Sequence, residues 1–214
     1  MKPAVTVVDY GVGNLLSVAR ALEHCGAAVS FAASPEDIDK AALLLLPGVG
    51  AFGDGIGELR SRGLDRPVVR YAQSGRPLLG ICLGMQFLLE TSEEFGEHAG
   101  LALVPGRVCA IPGTGTDGRA HKIPHIGWSG LQRPAERETW SGTILDGVAP
   151  GAKVYFVHTY TAHPAPQARL ADCDYHGRRI SAAIQRGAVA GCQFHPEKSG
   201  ETGLQVLRNF LRMG

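Results

Sequence analysis

Along the first ninety positions, short apolar runs alternate with stretches of helical spacing. The runs at 4–8, 27–32, 43–46 and 77–81 are largely apolar with no strict polar alternation, the pattern of strands buried on both faces. Between them, Leu15, Val18, Ala19 and Leu22 fall on one helical face over 15–25, and the stretch stops before Gly26. Ser34-Pro35-Glu36 reads as a helix start with Pro at the first helical position. Residues 68–74 close another helix and 85–90 begin the next. Apolar strands separated by helices predict parallel pairing with helices on both faces.

The second half changes character. Residues 107–111 and 153–159 read as strands, and the loop 112–119, with three glycines, is predicted to be mobile. Strands at 169–175, 178–185 and 188–194 are divided by His176-Gly177 and Arg186-Gly187, two-residue breaks that predict tight hairpins. An amphipathic helix follows over 203–213. No internal repeat, long linker or low-complexity tract interrupts the chain. The expectation is one α/β domain over 1–214, with a mostly parallel central sheet flanked by helices and additional antiparallel strands.

Composition narrows the functional classes. The 214 residues are 44% hydrophobic and 19% charged, an ordinary globular mix able to build a full core. Basic and acidic residues are interspersed and the net charge is +1, so nothing favours a nucleic-acid partner. The longest apolar run, 41–46, is far too short to span a membrane. The N-terminal stretch lacks the features of a signal peptide, which predicts a cytoplasmic protein. The five cysteines (25, 82, 109, 173 and 192) are scattered without a C-x-x-C, which argues against a disulfide framework.

One cysteine stands out. Gly80-Ile81-Cys82-Leu83-Gly84 follows a buried strand and opens a helix, the G-x-nucleophile-x-G elbow with Cys in place of Ser. Such a turn crowds the positions two before and two after the nucleophile, and only Gly leaves room. A helix N-terminus also favours a thiolate. The motif alone is equally compatible with a buried Cys in a glycine-containing turn. His195, at the end of the 188–194 strand, supplies the missing base, and Glu197 two residues on can orient its imidazole across Pro196. The assignment is Cys82 as nucleophile, His195 as general acid/base and Glu197 as orienter. His24, His98, His163 and His176 read as structural or surface residues. His121 and His125 are four apart, but Pro124 argues against a helix and no third ligand presents itself, so no metal is expected.

The stretch 46–53 (LPGVGAFG) contains a formal G-x-G-x-x-G. A dinucleotide site is rejected because the motif follows the third strand, Pro47 precedes the glycines, and no acid ends a following strand at the right distance. An oxyanion hole fits better: the Gly-rich loop can aim a backbone N–H donor, joined by the N–H of Leu83. The alternative is a tight strand–helix connection with no catalytic part.

Together these motifs resemble class I (triad) glutamine amidotransferases, and within them the glutaminase subunits of imidazole glycerol phosphate synthases. The resemblance covers nearly the whole chain: DYGVGN over 9–14, LPGVGAF over 46–52, GICLGMQ over 80–86, PHIGW over 124–128, YFVHTY over 155–160 and QFHPEKS over 193–199. It implies that Gly48, Gln86, Thr159 and Tyr160 hold glutamine. It implies that Asn14, Trp128, Tyr155 and Lys198 face a cyclase subunit built as a (β/α)₈ barrel, in a heterodimer. Ammonia would pass to that subunit, which forms imidazole glycerol phosphate and aminoimidazole carboxamide ribotide in histidine biosynthesis. Reorientation of the Val49–Gly50 peptide would complete the oxyanion hole once the partner binds its nucleotide. No cofactor is implied. Ser129 departs from the family's Asn. Read without the resemblance, Trp128 and Tyr155 are expected in the core and Lys198 in solvent. Two rival readings remain: the glutaminase subunit of a synthase for pyridoxal phosphate or anthranilate, and a catalytically silent docking subunit. An intact Cys82, His195 and Glu197 weighs against the second.

Overall fold

The computed structural model describes residues 2–214. The first half alternates as expected: β1 (Ala4–Val8), α1 (Leu15–His24), β2 (Ala28–Ala32), α2 (Pro35–Lys40), β3 (Leu43–Leu46), α3 (Phe52–Ser61), α4 (Asp65–Gln73), β4 (Leu78–Ile81) and α5 (Leu83–Phe87). The second half adds β5 (Thr91–Ser92), β6 (His98–Ala99), β7 (Gly106–Ala110), β8 (His125–Gln132), β9 (Lys153–His158), β10 (Tyr160–Pro164), β11 (Arg169–Tyr175), β12 (Arg178–Arg186), β13 (Val189–Cys192) and the closing α6 (Gly200–Leu211).

A nine-stranded sheet runs in the order β2-β1-β3-β4-β13-β12-β11-β8-β9. Strands β2, β1, β3, β4 and β13 are mutually parallel. Beyond β13 every neighbour is antiparallel, so the antiparallel additions form a four-stranded wing beside the five-stranded parallel block. A small second sheet, β10-β7-β5-β6, packs alongside. The four leucines of β3 show why the parallel strands read as continuous apolar runs. Leu43 and Leu45 enter one core cluster, while Leu44 and Leu46 enter the other on the opposite face.

Local signals explain several elements. Ser34 caps α2 reciprocally with Asp37, a capping box behind Pro35. The β11–β12 hairpin turns on His176 and Gly177, both at positive φ (52° and 78°), as primed hairpin turns require. Strands β5, β6, β8 and β10, helix α3 and the bounds of α5 differ from expectation. Helix α3 is not legible in the sequence because Gly53, Gly55 and Gly57 lower its intrinsic propensity. Its apolar stripe Phe52, Ile56 and Leu59 is fully packed, and Gly55 lets it approach α5, where an added Cβ would lie 2.7 Å from the Phe87 ring. Strand β8 carries Gly127 and Gly130 and exists through its pairing with β9. The helix expected from 85 begins earlier, at Leu83, and ends after little more than one turn at Phe87.

Candidate active site

Cys82 occupies the one-residue junction between β4 and α5, at φ 54° and ψ −110°. A non-glycine residue there carries backbone strain of about 1–3 kcal/mol, which the surroundings must hold. They do so from both sides: the Cys82 N–H donates to the Cys192 carbonyl (2.8 Å) and its own carbonyl accepts from the Gln86 N–H (3.2 Å). The flanking glycines are sterically required. A Cβ on Gly80 would lie 2.7 Å from the Gly84 carbonyl oxygen and the Met85 nitrogen; one on Gly84 would lie 1.9 Å from the Leu46 carbonyl oxygen.

Strand β13 lies beside β4 with Cys192 opposite Ile81, so both chains leave the sheet at the same edge. Cys82 leaves one, and the segment carrying His195 leaves the other. That segment is pinned to β9. The His195 N–H donates to the Tyr155 carbonyl (3.0 Å), the Tyr155 N–H donates to Ser199 Oγ (3.0 Å), and the Ser199 hydroxyl donates to the His195 carbonyl (2.6 Å). His195 Nδ1–H donates to Glu197 Oε1 at 2.8 Å, with both side chains at least 95% buried. Nε2 is the free nitrogen, buried and without a hydrogen-bond partner among the described residues. Burial lowers the basicity of this imidazole, but the neighbouring Cys82 and Glu197 outweigh it and raise the pKa from 6.5 to about 10. Cys82 and His195 open onto one cavity of about 280 Å³.

The walls of that cavity include Val49, Gly50, Leu83, Gln86, Thr159 and Tyr160, all candidates from the sequence. Gly48 is not among these lining residues. It sits behind the cavity, where a Cβ would meet the Tyr10 hydroxyl at 2.7 Å and the Gly84 nitrogen at 2.9 Å. Its smallness lets the glycine loop lie against the elbow. The Tyr10 hydroxyl donates to the Pro47 carbonyl (2.8 Å) and fixes the root of that loop.

Three further polar residues have no role assigned by sequence reasoning. Gln193, fully buried, donates to Cys82 Sγ at 3.6 Å and accepts from Gln86 Nε2 at 3.0 Å. Gln86 Nε2 also donates to the Tyr160 carbonyl (3.1 Å). Both amide hydrogens of Gln86 are thereby used, leaving its Oε1 as the group it can offer a ligand. Glu94 is the one carboxylate among the lining side chains. It accepts the Phe52 N–H at the start of α3 (2.7 Å), and burial raises its pKa. That contact fills the helix N-terminus a dinucleotide phosphate would need. His158 is the third, and burial holds it neutral with a pKa near 3. The motif strings at 155–160 and 193–199 contain His158 and Gln193, but only the fold turns them inward; no pattern in the sequence marks Glu94.

The residues assigned to a partner face are scattered in sequence. Asn14 precedes α1, half-buried, and Lys198 is exposed. Trp128 and Tyr155 face each other across β8 and β9 with ring centroids 6.0 Å apart. The core placement expected for the two aromatics is wrong: Trp128 is 54% exposed and Tyr155 half-buried, because this face of the sheet's outermost pair carries no helix. Ile126, Val157 and Val49 are exposed as well, and Val49 and Val157 also line the cavity.

Comparison with known proteins gives the family. A family model described as glutamine amidotransferase class-I matches residues 6–213. The imidazole glycerol phosphate synthase subunit HisH 1 of Legionella pneumophila (strain Paris) is 51% identical over 211 residues, covering 98% of this chain and 99% of the relative. The corresponding HisH subunit of Syntrophotalea carbinolica is 43% identical over 209 residues, covering 96% and 98%. In overall shape the chain resembles the structure of PurLQS from Thermotoga maritima, with a TM-score of 0.73 at 23% identity and 99% of each chain covered. That likeness concerns the fold.

Proposed function

The chain belongs to the class-I glutamine amidotransferase family, and from that premise we propose that it hydrolyses glutamine as the ammonia-producing subunit of an imidazole glycerol phosphate synthase. The observation that carries the chemistry is the shared cavity. A thiol on a strained elbow and the free Nε2 of a Glu-oriented imidazole open onto the same space. Cys82 Sγ attacks the side-chain amide carbon of glutamine, and the proton resides on His195 Nε2. The tetrahedral oxyanion is met by the Leu83 N–H, which as the first helical donor has no intrahelical acceptor, and by the Val49–Gly50 peptide. Gly50 sits at φ 94° with nothing within 4 Å of an added Cβ, room for that peptide to turn. Collapse expels ammonia with the proton from His195. Water, deprotonated by His195, then cleaves the γ-glutamyl thioester and releases glutamate. Glu94 is placed to face the substrate's α-ammonium, and Gln86 Oε1, with the backbone of Thr159 and Tyr160, to hold its polar groups.

Neutral ammonia is the nucleophile a synthase needs, and bulk water would protonate it. The exposed apolar surface of Ile126, Trp128, Val157 and Val49, continuous with the cavity, suits a docked cyclase subunit that receives ammonia directly. The deciding experiment is glutamate release with and without that cyclase subunit and its nucleotide ligand. Acceleration by the complex, abolished in Cys82→Ala of unchanged fold, is the expected result. Unchanged turnover in Cys82→Ala overturns the nucleophile; stimulation by a pyridoxal phosphate or anthranilate synthase partner instead reassigns the pathway.

A further inference from the structure

Two imidazoles, His158 in the cavity wall and His125 behind it, link the outer strands of the wing to Cys82. His158 Nδ1 lies 2.8 Å from the Tyr160 carbonyl, so that nitrogen carries the proton. Burial keeps His158 neutral, so its Nε2 is an acceptor, and the nitrogen 3.1 Å from it, Nδ1 of His125, must be the donor. His125 is neutral too, its pKa lowered to about 4 by burial and by His176, so its Nε2 accepts the Ser129 hydroxyl at 3.0 Å. Every proton in this row of side chains is thereby fixed. Ser129 O–H donates to His125, His125 to His158, and His158 to the Tyr160 carbonyl. Gln86 donates to that same carbonyl and to Gln193, and Gln193 donates to Cys82 Sγ. The path begins one residue from Trp128 and ends on the sulfur, with no gap.

We propose that Ser129, His125 and His158 are positioning residues for glutamine hydrolysis, setting the Tyr160 carbonyl and, through Gln86 and Gln193, the Cys82 thiol. Each N–H or O–H in the row has its own acceptor, and the Tyr160 carbonyl takes two of them, so removing Ser129, His125 or His158 leaves a buried polar atom with a bond lost and lets its neighbours turn. The row also gives a specific role to Ser129, whose hydroxyl lies 3.0 Å from His125 Nε2. That role needs only a hydroxyl proton aimed at His125 Nε2.

The inference rests on the glutaminase reading, and the test separates the two. The full chain is assayed for glutamate release alone and with the cyclase subunit, as wild type, Cys82→Ala, His125→Phe, His125→Asn and Ser129→Ala. Phe keeps the stacking of His125 on Phe156 (4.8 Å) but cannot donate. The Asn amide can replace the Nδ1 donor but loses the ring. A relay predicts that His125→Phe loses about tenfold or more in kcat, the scale of a misplaced reacting group, while His125→Asn retains more activity than Phe. A packing role predicts the reverse order, and that order overturns the proposal. Nitrogen-15 correlation spectra of the unaltered protein are expected to show both imidazoles neutral and protonated on Nδ1; an Nε2–H tautomer at His125 would refute it even if His125→Phe did not fold. Persistent turnover in Cys82→Ala would instead sink the glutaminase reading.

Discussion

Gly84→Ala is a one-carbon change whose effect follows from the elbow. The added Cβ would sit 1.9 Å from the Leu46 carbonyl oxygen and 2.8 Å from its carbon, both backbone atoms at the end of the buried strand β3. Ordinary carbon–oxygen contact begins at about 3.3 Å, so roughly 1.4 Å of separation must be found. No side chain can swing away. Either the strand end that leads into the 47–50 loop moves, or the start of α5 and Cys82 with it. Overpacking of a tight core costs about 3 kcal/mol at its upper end. At about 2–4 °C per kcal/mol for a chain of this size, the melting temperature should fall by roughly 6–12 °C. On the proposed roles, a displacement near 1 Å of Cys82 or of the N–H groups that would meet the oxyanion should lower kcat by about a hundredfold. The control is Gly57→Ala in α3, where a Cβ meets nothing within 4 Å. The same substitution there should leave kcat unchanged and stabilise by up to about 1 kcal/mol. The assay is glutamate release beside thermal unfolding for the two variants. Gly84→Ala with wild-type kcat and melting temperature would refute the steric account of the elbow.

Glu197→Gln removes one of the influences that raise the His195 pKa, so that pKa should fall, as seen by titrating the imidazole by NMR. The raised pKa means the charged imidazole stabilises the fold fully below about 6.5, and the effect is lost as pH rises through about 10. The melting-temperature advantage of wild type over Glu197→Gln should therefore shrink across that window, and a constant difference would contradict it. Trp128→Ala truncates an exposed aromatic, so unfolding should be unaffected. Binding of the cyclase subunit should weaken about tenfold or more by calorimetry, and unchanged affinity would move the partner face elsewhere.

The legible parts of the sequence are those governed by near neighbours. Buried parallel strands announce themselves because both faces are apolar, as the leucines of β3 show. The elbow is legible because its steric demand falls on fixed offsets, and the His195–Glu197 pair because two residues separate its members. What stays hidden depends on distant partners. Gln193 reaches Gln86 across 107 positions, and nothing local distinguishes it from a surface glutamine. Glu94 enters the cavity from a short hairpin whose placement is set by α3. Trp128 defies expectation because burial of a large aromatic is the ordinary case, and only the absence of a covering helix, a tertiary fact, reverses it.

The pinning of His195 to β9 also bears on solubility. Strand β9 ends the nine-stranded sheet, and an outermost strand offers unpaired amides to any passing chain. At Tyr155 both outward-facing groups are already claimed, the N–H by Ser199 and the carbonyl by His195. The segment that carries His195 is thus a suture along an open seam. Substitutions that loosen it would unmask a sticky border as well as silence the chemistry, so such variants should be lost to aggregates before they can be scored as inactive enzymes.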